Sequence, residues 1–335
     1  MQMWRPLLIL GVAFVIFFGF VMIDQEQNEE TCETRTAIEA TASSFHRAMS
    51  TLDQTVSEGA DKLSALRDTD VREHVLETIN QSAYFFDATG VYQNIFDPEK
   101  STGFATGYVP IDEDVQKNLM ATESLEPYFK NILKKYALVK QVYYNDLQSF
   151  SRLYPGVDIR GLVVPNVNLA DYNFMSNAYE NMEKTRFIST PYIDPAGNGW
   201  VVSMIRPVVF EGELIGVFGV DLSVNVLEDM LITINGTLVV NEDGYVVTLS
   251  EDMYQQAGIK VLNEHKYYYG VDNTILLPDD YNLSNSKIKG FREMWQQINE
   301  EHVYRGMISF DGKERRYCAV PVEDYGLYLI HINTE

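Results

Sequence analysis

Between Ile38 and Leu66, apolar or small residues recur at steps of four and three: Ile38, Ala42, Phe45, Met49, Leu52, Val56, Gly59, Leu63 and Leu66. At 3.6 residues per turn such steps return to one side of a helix, so the spacing predicts a long helix with one continuous apolar stripe. A single helix cannot cover its own stripe. The cover is either a second copy paired along the seam or the protein's own domains. Ala42 and Gly59 make a weak zipper, so at least part of the stripe is expected to pack within the chain, with the N-terminal half left to pair a homodimer.

Ahead of the stripe stands PLLILGVAFVIFFGFVMI, Pro6 to Ile23, an unbroken apolar run without charge. As a helix at about 1.5 Å per residue it approaches the ~30 Å hydrocarbon core of a bilayer. Arg5 precedes it and the acidic DQEQNEE follows. This asymmetry predicts residues 1–5 as a cytoplasmic tail, 6–23 as a transmembrane anchor and the bulk of the chain outside. No small-residue cleavage site follows the run, so the anchor is expected to stay uncleaved. The two cysteines, Cys32 and Cys318, are far apart and are expected to be unpaired.

The formal net charge of -22 sets up a field that repels phosphate backbones, which argues against nucleic acid as a partner. Hydrophobic residues at 46% and aromatics at 12% supply enough apolar surface for folded domains. The five histidines, His46, His74, His265, His302 and His331, are dispersed, and no zinc-protease, nucleophile-elbow or phosphate-loop motif occurs. No enzyme activity, cofactor or metal is expected.

The long helix is expected over residues 31–80. From Ser82 the pattern turns to short strands in YFFDATGVYQNIF, an amphipathic helix around LEPYFKNILKKYA, a strand in LVKQVYYND and a helix around NFMSNAYENMEK. GWVVSMIRPVVF and ELIGVFGVD then read as a hairpin through Glu211 to Glu213, with Ser223 as N-cap of the next helix. A second unit opens after Asn235: a hairpin through NEDG, a helix in KIKGFREMWQQINEEH, and strands with turns at FDGK and EDYG. The fold class is therefore α+β: a transmembrane helix, a long stalk helix, and two antiparallel-sheet domains, at 81–234 and 235–335.

PYID at Pro191 to Asp194, RPV at Arg206 to Val208, the EG turn and LIGVFGVDLSVNVLEDML stand in one stretch. There the chain resembles the end of the membrane-distal domain of double Cache (dCache) sensor domains, which belong to bacterial chemoreceptors, histidine kinases and cyclic-dinucleotide enzymes. By order of elements the resemblance runs from Thr31 to the C-terminus. It implies two PAS-like domains, a location outside the bacterial inner membrane, a small-molecule ligand in the distal domain, and output to a cytoplasmic domain or to a membrane kinase, cyclase or transporter. In amino-acid-binding members an R-x-W-Y segment ahead of PYxD holds the ligand carboxylate, and aspartates at PYxD and GVxGxD hold its amine. Here Tyr172 takes the place of the arginine, with Phe174 and Met175 in place of the aromatic pair. Tyr192, Asp194 and Asp221 keep the amine half.

Two aspartates converging on an apolar pocket favour a cation between them, because a buried carboxylate is costly unless paired or hydrogen-bonded. Tyr172, Phe174 and Tyr192 would add aromatic faces that attract an ammonium group. The expected ligand is amine-bearing or cationic, at a site of Tyr192, Asp194, Asp221, Tyr172, Phe174 and Asp171. Structural duties compete for three of these. Asp194 fits a DPAG turn, Asp221 the start of the helix after Ser223, and Asp171 the cap of the helix containing Phe174. Period-two spacing puts Asp221 on a face with Val217 and Gly219, and Gly219 is expected to leave space above it. A ligand-free Cache scaffold serving another membrane protein is the other reading the residues allow.

Overall fold

A computed structural model of the chain describes residues 5–171, 173–180, 182–194, 199–259 and 281–334. Of these, the side chains of residues 5–33 and of Asn173, Phe174, Ser176 and Glu180 are not described. The first element is helix α1, Arg5–Ala65, followed after a short turn by α2, Thr69–Leu76. The helical stretch breaks where the sequence pattern carried it on to residue 80, because Asp68 adopts an extended backbone and its carboxylate accepts from the amides of Asp70 and Val71. That side chain starts a new helix.

Two antiparallel sheets follow. The first unit contains β1 (Tyr84–Phe86), β2 (Tyr92–Asn94), β3 (Thr102–Ala105), α3 (Glu113–Ala121), α4 (Glu126–Lys135), β4 (Val139–Asp146), β5 (Phe150–Tyr154), α5 (Asn173–Glu180), β6 (Arg186–Ile193), β7 (Trp200–Phe210), β8 (Glu213–Ser223) and α6 (Val224–Leu231). Its eight strands lie in the order β1-β2-β3-β5-β4-β8-β7-β6. The second unit contains β9 (Thr237–Asn241), β10 (Val246–Leu249), α7 (Glu251–Ala257), α8 (Lys289–Asn299), β11 (Arg305–Phe310), β12 (Lys313–Val322) and β13 (Leu327–Ile332). Its five strands run β10-β9-β13-β12-β11. Among the described residues no helix is long and apolar enough to cross a membrane. The Pro6–Ile23 run lies in the part of α1 whose side chains are outside the description.

The stripe from Ile38 to Leu66 is buried within the chain throughout its length. One face of the eight-stranded sheet packs on it with Val202, Met204, Phe218, Val220 and Leu222, and β12 and β13 of the second sheet pack on the same helix. Burying each such side chain contributes roughly 1.5–3 kcal/mol, so the helix is a core element of both units. Gly59, the weak position of the supposed zipper, is a seat for an aromatic ring. A Cβ there would lie 2.2 Å from Cε1 of Phe218, so only a bare backbone lets that ring reach the helix. Over this stretch the seam is filled by the chain's own sheets, leaving no room for a second copy.

Polar groups on the helix side of the large sheet are closed into pairs. Asp146, fully buried, takes an ion pair from Arg67 and the hydroxyl of Tyr144, and its Oδ1 accepts from the amide of Gln148 at 2.8 Å. Arg152, also fully buried, donates to Thr122 Oγ1 (2.5 Å), Ser101 Oγ (2.9 Å), Tyr84 Oη (2.6 Å) and the carbonyl of Leu119 (3.1 Å).

The two units meet at edge strand β6. Phe187 packs edge-on against Phe45 of α1 (6.5 Å between ring centroids) and Tyr325 of the second unit (5.8 Å), and those two rings also meet at 5.8 Å. Three residues further along β6, Thr190 Oγ1 accepts from Asn241 Nδ2 at 2.9 Å.

Candidate ligand site

The opposite face of the large sheet carries the candidate site. Asp221 on β8 is the register partner of Ser203 on β7 and of Gln141 on β4, and one pleat away Gly219 partners Ile205 and Tyr143. Register partners in an antiparallel sheet project to the same side. Gln141, Asp221 and Ser203 therefore form one row, with Tyr143, Gly219 and Ile205 beside it. On β6, Ile188 pairs with Ser203 but Tyr192 pairs with Val201, so Ser189 to Pro191 bulge out of register. The bulge lets β6 bring Tyr192 back to the row.

These groups make a closed cluster around one carboxyl. Ser203 Oγ donates to Asp221 Oδ1 at 2.5 Å, Tyr192 Oη donates to the same oxygen at 3.1 Å, and the two hydroxyl oxygens lie 2.6 Å apart. Asp221 is 2% exposed and Asp194 5%. Burial pushes the Asp221 carboxyl well above the usual range. The charge of Asp194 pushes it further, while the hydroxyls of Ser203 and Tyr192 pull it part of the way back. Burial likewise raises the phenols of Tyr192 and Tyr143 well above their ordinary value, with the Asp221 charge adding to it. No Lys, Arg or His among the described residues forms an ion pair with Asp221. Nor do the described residues hold a cluster of His, Cys, Asp or Glu able to bind a metal ion.

Helix α5 roofs this face. Met175 and Ala178, both fully buried, pack with Tyr143, Ile188, Ile205, Leu214 and Val217 in a small apolar cluster separate from the main core.

The sequence expectations about this stretch hold only in part. Gly219 does not leave open space: a Cβ there would stand 2.4 Å from Cζ of Tyr143, so the missing side chain is what admits the tyrosine ring. Ser223 occupies the N-cap of α6 without a capping hydrogen bond from its side chain. Asp221 takes its hydrogen bonds from side-chain hydroxyls on the sheet face, as given above, and does not serve as a helix cap.

The other site residues divide. Asp194 is buried, and its amide donates to the carbonyl of Gly199 at 3.0 Å, closing the loop between β6 and β7. Asp171 is exposed, ends a single helical turn (Leu169–Asp171) and accepts from Asn168 Nδ2 at 2.8 Å. It therefore stays outside the buried group, held by its own loop. Tyr172 lies outside the described residues, and Phe174 is placed only as backbone of α5.

Ser203, Tyr143 and Gln141 were missed by the sequence reading. A signal existed for two of them. Ser203 interrupts the apolar run WVVSMI, and Gln141 interrupts LVKQVYY, each where period-two spacing points to the face of Asp221. Gln141 is 2% exposed, and its amide nitrogen has no hydrogen-bond partner among the described residues.

No protein-family model matches the sequence, and no curated protein does. Solved structures similar to the chain include the ligand-binding domain of the Pseudomonas aeruginosa amino-acid chemoreceptor PctC with GABA, at 14% identity, 87% coverage of this chain, 94% of that chain and a TM-score of 0.47. The ligand-binding domain of the Pseudomonas fluorescens chemoreceptor CtaA with L-isoleucine matches at 13% identity, 85% and 92% coverage and a TM-score of 0.43. That of Campylobacter jejuni Tlp3 with 4-methylisoleucine matches at 12% identity, 88% and 91% coverage and a TM-score of 0.40.

Proposed function

We propose that the chain is a membrane-anchored, extracytoplasmic small-molecule sensor that binds an amine-bearing or cationic metabolite beside Asp221 and Asp194. The carrying observation is a buried carboxyl that receives two hydroxyl hydrogen bonds and no cation among the described residues. Two neighbouring acids in a desolvated site repel a third negative charge, whereas a ligand ammonium offsets both. Tyr192 and Tyr143 can add aromatic contact to the same cation, with Tyr172 and Phe174 as further wall residues.

Strand β6 supplies a route outward. Tyr192 and Asp194 stand at its site end, Thr190 is bonded to Asn241, and Phe187 touches both α1 and Tyr325. A ligand that binds one position of β6 better than another would shift the joint and the helix by that difference in affinity. In this proposal α1 crosses the membrane through Pro6 to Ile23, with residues 1–5 in the cytoplasm. Copies meet through the stalk helix ahead of Ile38, and output passes to a cytoplasmic domain or to a partner kinase, cyclase or transporter.

Titration calorimetry of the full chain in detergent, against a panel of primary amines and amino acids, tests the reading. Amines are expected to bind, to raise the melting temperature by mass action, and to lose affinity in Asp221→Asn. Binding of zwitterionic amino acids that survives Asp221→Ala would overturn it.

A further inference from the structure

Gln141 faces Asp221 across the β4–β8 register, is 2% exposed, and leaves its amide nitrogen without a hydrogen-bond partner among the described residues. A buried donor left unmade costs more than a made one returns, so folded proteins rarely keep one without a use for it. The neighbours of Gln141 in the row are Asp221 and Ser203, and those two already bond to each other. Across the next pleat lie Tyr143, Ile205 and the apolar cluster under α5, which offer packing surface. The Asp221 carboxyl and the Gln141 amide thus present complementary needs, an ammonium to draw off the carboxyl's proton and pair with it, and an acceptor to satisfy the amide. They sit on paired residues whose Cβ atoms in such a ladder lie about 5 Å apart.

We propose, resting on the amine reading above, that Gln141 is the specificity residue of the site and that the ligand carries an uncharged hydrogen-bond acceptor close to its amine. The chemical class is a compact amino amide or amino alcohol whose oxygen accepts from Gln141 Nε2 while its ammonium lies against Asp221. A carboxylate in the acceptor's place is disfavoured. A neutral amide gives it one hydrogen bond, against the repulsion of Asp221 and Asp194 at close range in a dry site. The apolar remainder of the ligand would rest on Tyr143 and Ile188.

Four probes that share one branched apolar part separate the terms: leucinamide, leucinol, isoamylamine, which lacks the acceptor, and leucine, which replaces it with a carboxylate. Calorimetry on the full chain in detergent is expected to rank leucinamide and leucinol about tenfold or more above isoamylamine, the worth of one well-made hydrogen bond in a buried site. In Gln141→Leu that gap is expected to collapse, with isoamylamine binding unchanged and the ligand-free melting temperature equal or higher, since an unmet donor has been removed. Gln141→Glu is expected to reject both acceptors while gaining affinity for isoamylamine. The assignment of Gln141 is overturned if the gap persists in Gln141→Leu, if the variant melts markedly lower, or if leucine binds as tightly as leucinamide. The amine reading fails separately if Asp221→Asn leaves leucinamide and isoamylamine binding intact. Failure of all four probes to bind overturns both.

Discussion

Asp146 and Asp221 sit on adjacent strands of one sheet, both buried, and they have opposite surroundings. Asp146 faces the helix side, where Arg67, Tyr144 and the amide of Gln148 close around it. Asp221 faces α5, where Ser203 and Tyr192 give it hydroxyls and Asp194 adds like charge. The pleat alone separates them, because successive side chains alternate between the faces. A carboxylate with its cation built in is a fastener. One that is held ready, desolvated and beside a second acid, costs stability in the empty protein and is retained where a ligand brings the missing charge.

The contrast can be broken most forcefully at Arg67. Arg67→Met strands Asp146 without its cation and is expected to cost about 3–5 kcal/mol in urea denaturation. A cost under about 1 kcal/mol would mean the two aspartates are not different in kind.

Next come two glycines, one against each face. Gly219→Ala drives a methyl group into Tyr143, and Gly59→Ala drives one into Phe218. Overpacking of this sort costs about 1–3 kcal/mol, and Gly59→Ala regains about 1 kcal/mol of helix propensity. The sharper difference is in ligand affinity, which Gly219→Ala should weaken and Gly59→Ala should leave alone. Equal effects of the two on binding would show that the faces are not separate in function.

The smallest signal is a slope with pH. Asp221 has a raised folded-state pKa, so its contribution to stability is fully present below the ordinary carboxylate range and is lost as pH rises through the native value. The stability of the wild type should therefore fall relative to Asp221→Asn as pH increases, read as urea midpoints over a pH series. A difference that is flat, or that runs the other way, would contradict the desolvated carboxyl. Amine affinity should rise over the same window, since the carboxyl must give up its proton to meet an ammonium.

Much of the fold was legible because it depends on local periodicity. The four-three steps from Ile38 to Leu66 are long enough to identify a helix by pattern alone. Glu211 and Gly212, both at positive φ, make the tight turn that joins β7 to β8. The hairpins at NEDG and FDGK likewise follow from turn residues, with Gly244 and Gly312 at positive φ. What covers a stripe is a long-range fact, and Gly59 shows the difficulty. In sequence it looks like a gap in a zipper, and only the ring of Phe218, far along the chain, explains it. The site divides in the same way. Asp221 and its alternation with Gly219 could be read along one strand, whereas Gln141 and Ser203 join it only through strand register. Tyr143 in the space above Gly219 follows from the same register, which a single sequence does not display.

Helix α1 packs on strands of both sheets through one stripe. Neither unit can therefore lose its structure without exposing apolar helix surface that the other also needs. The prediction is thermodynamic: despite two sheets, the described part of the chain should melt in a single cooperative transition, with calorimetric and van't Hoff enthalpies in agreement.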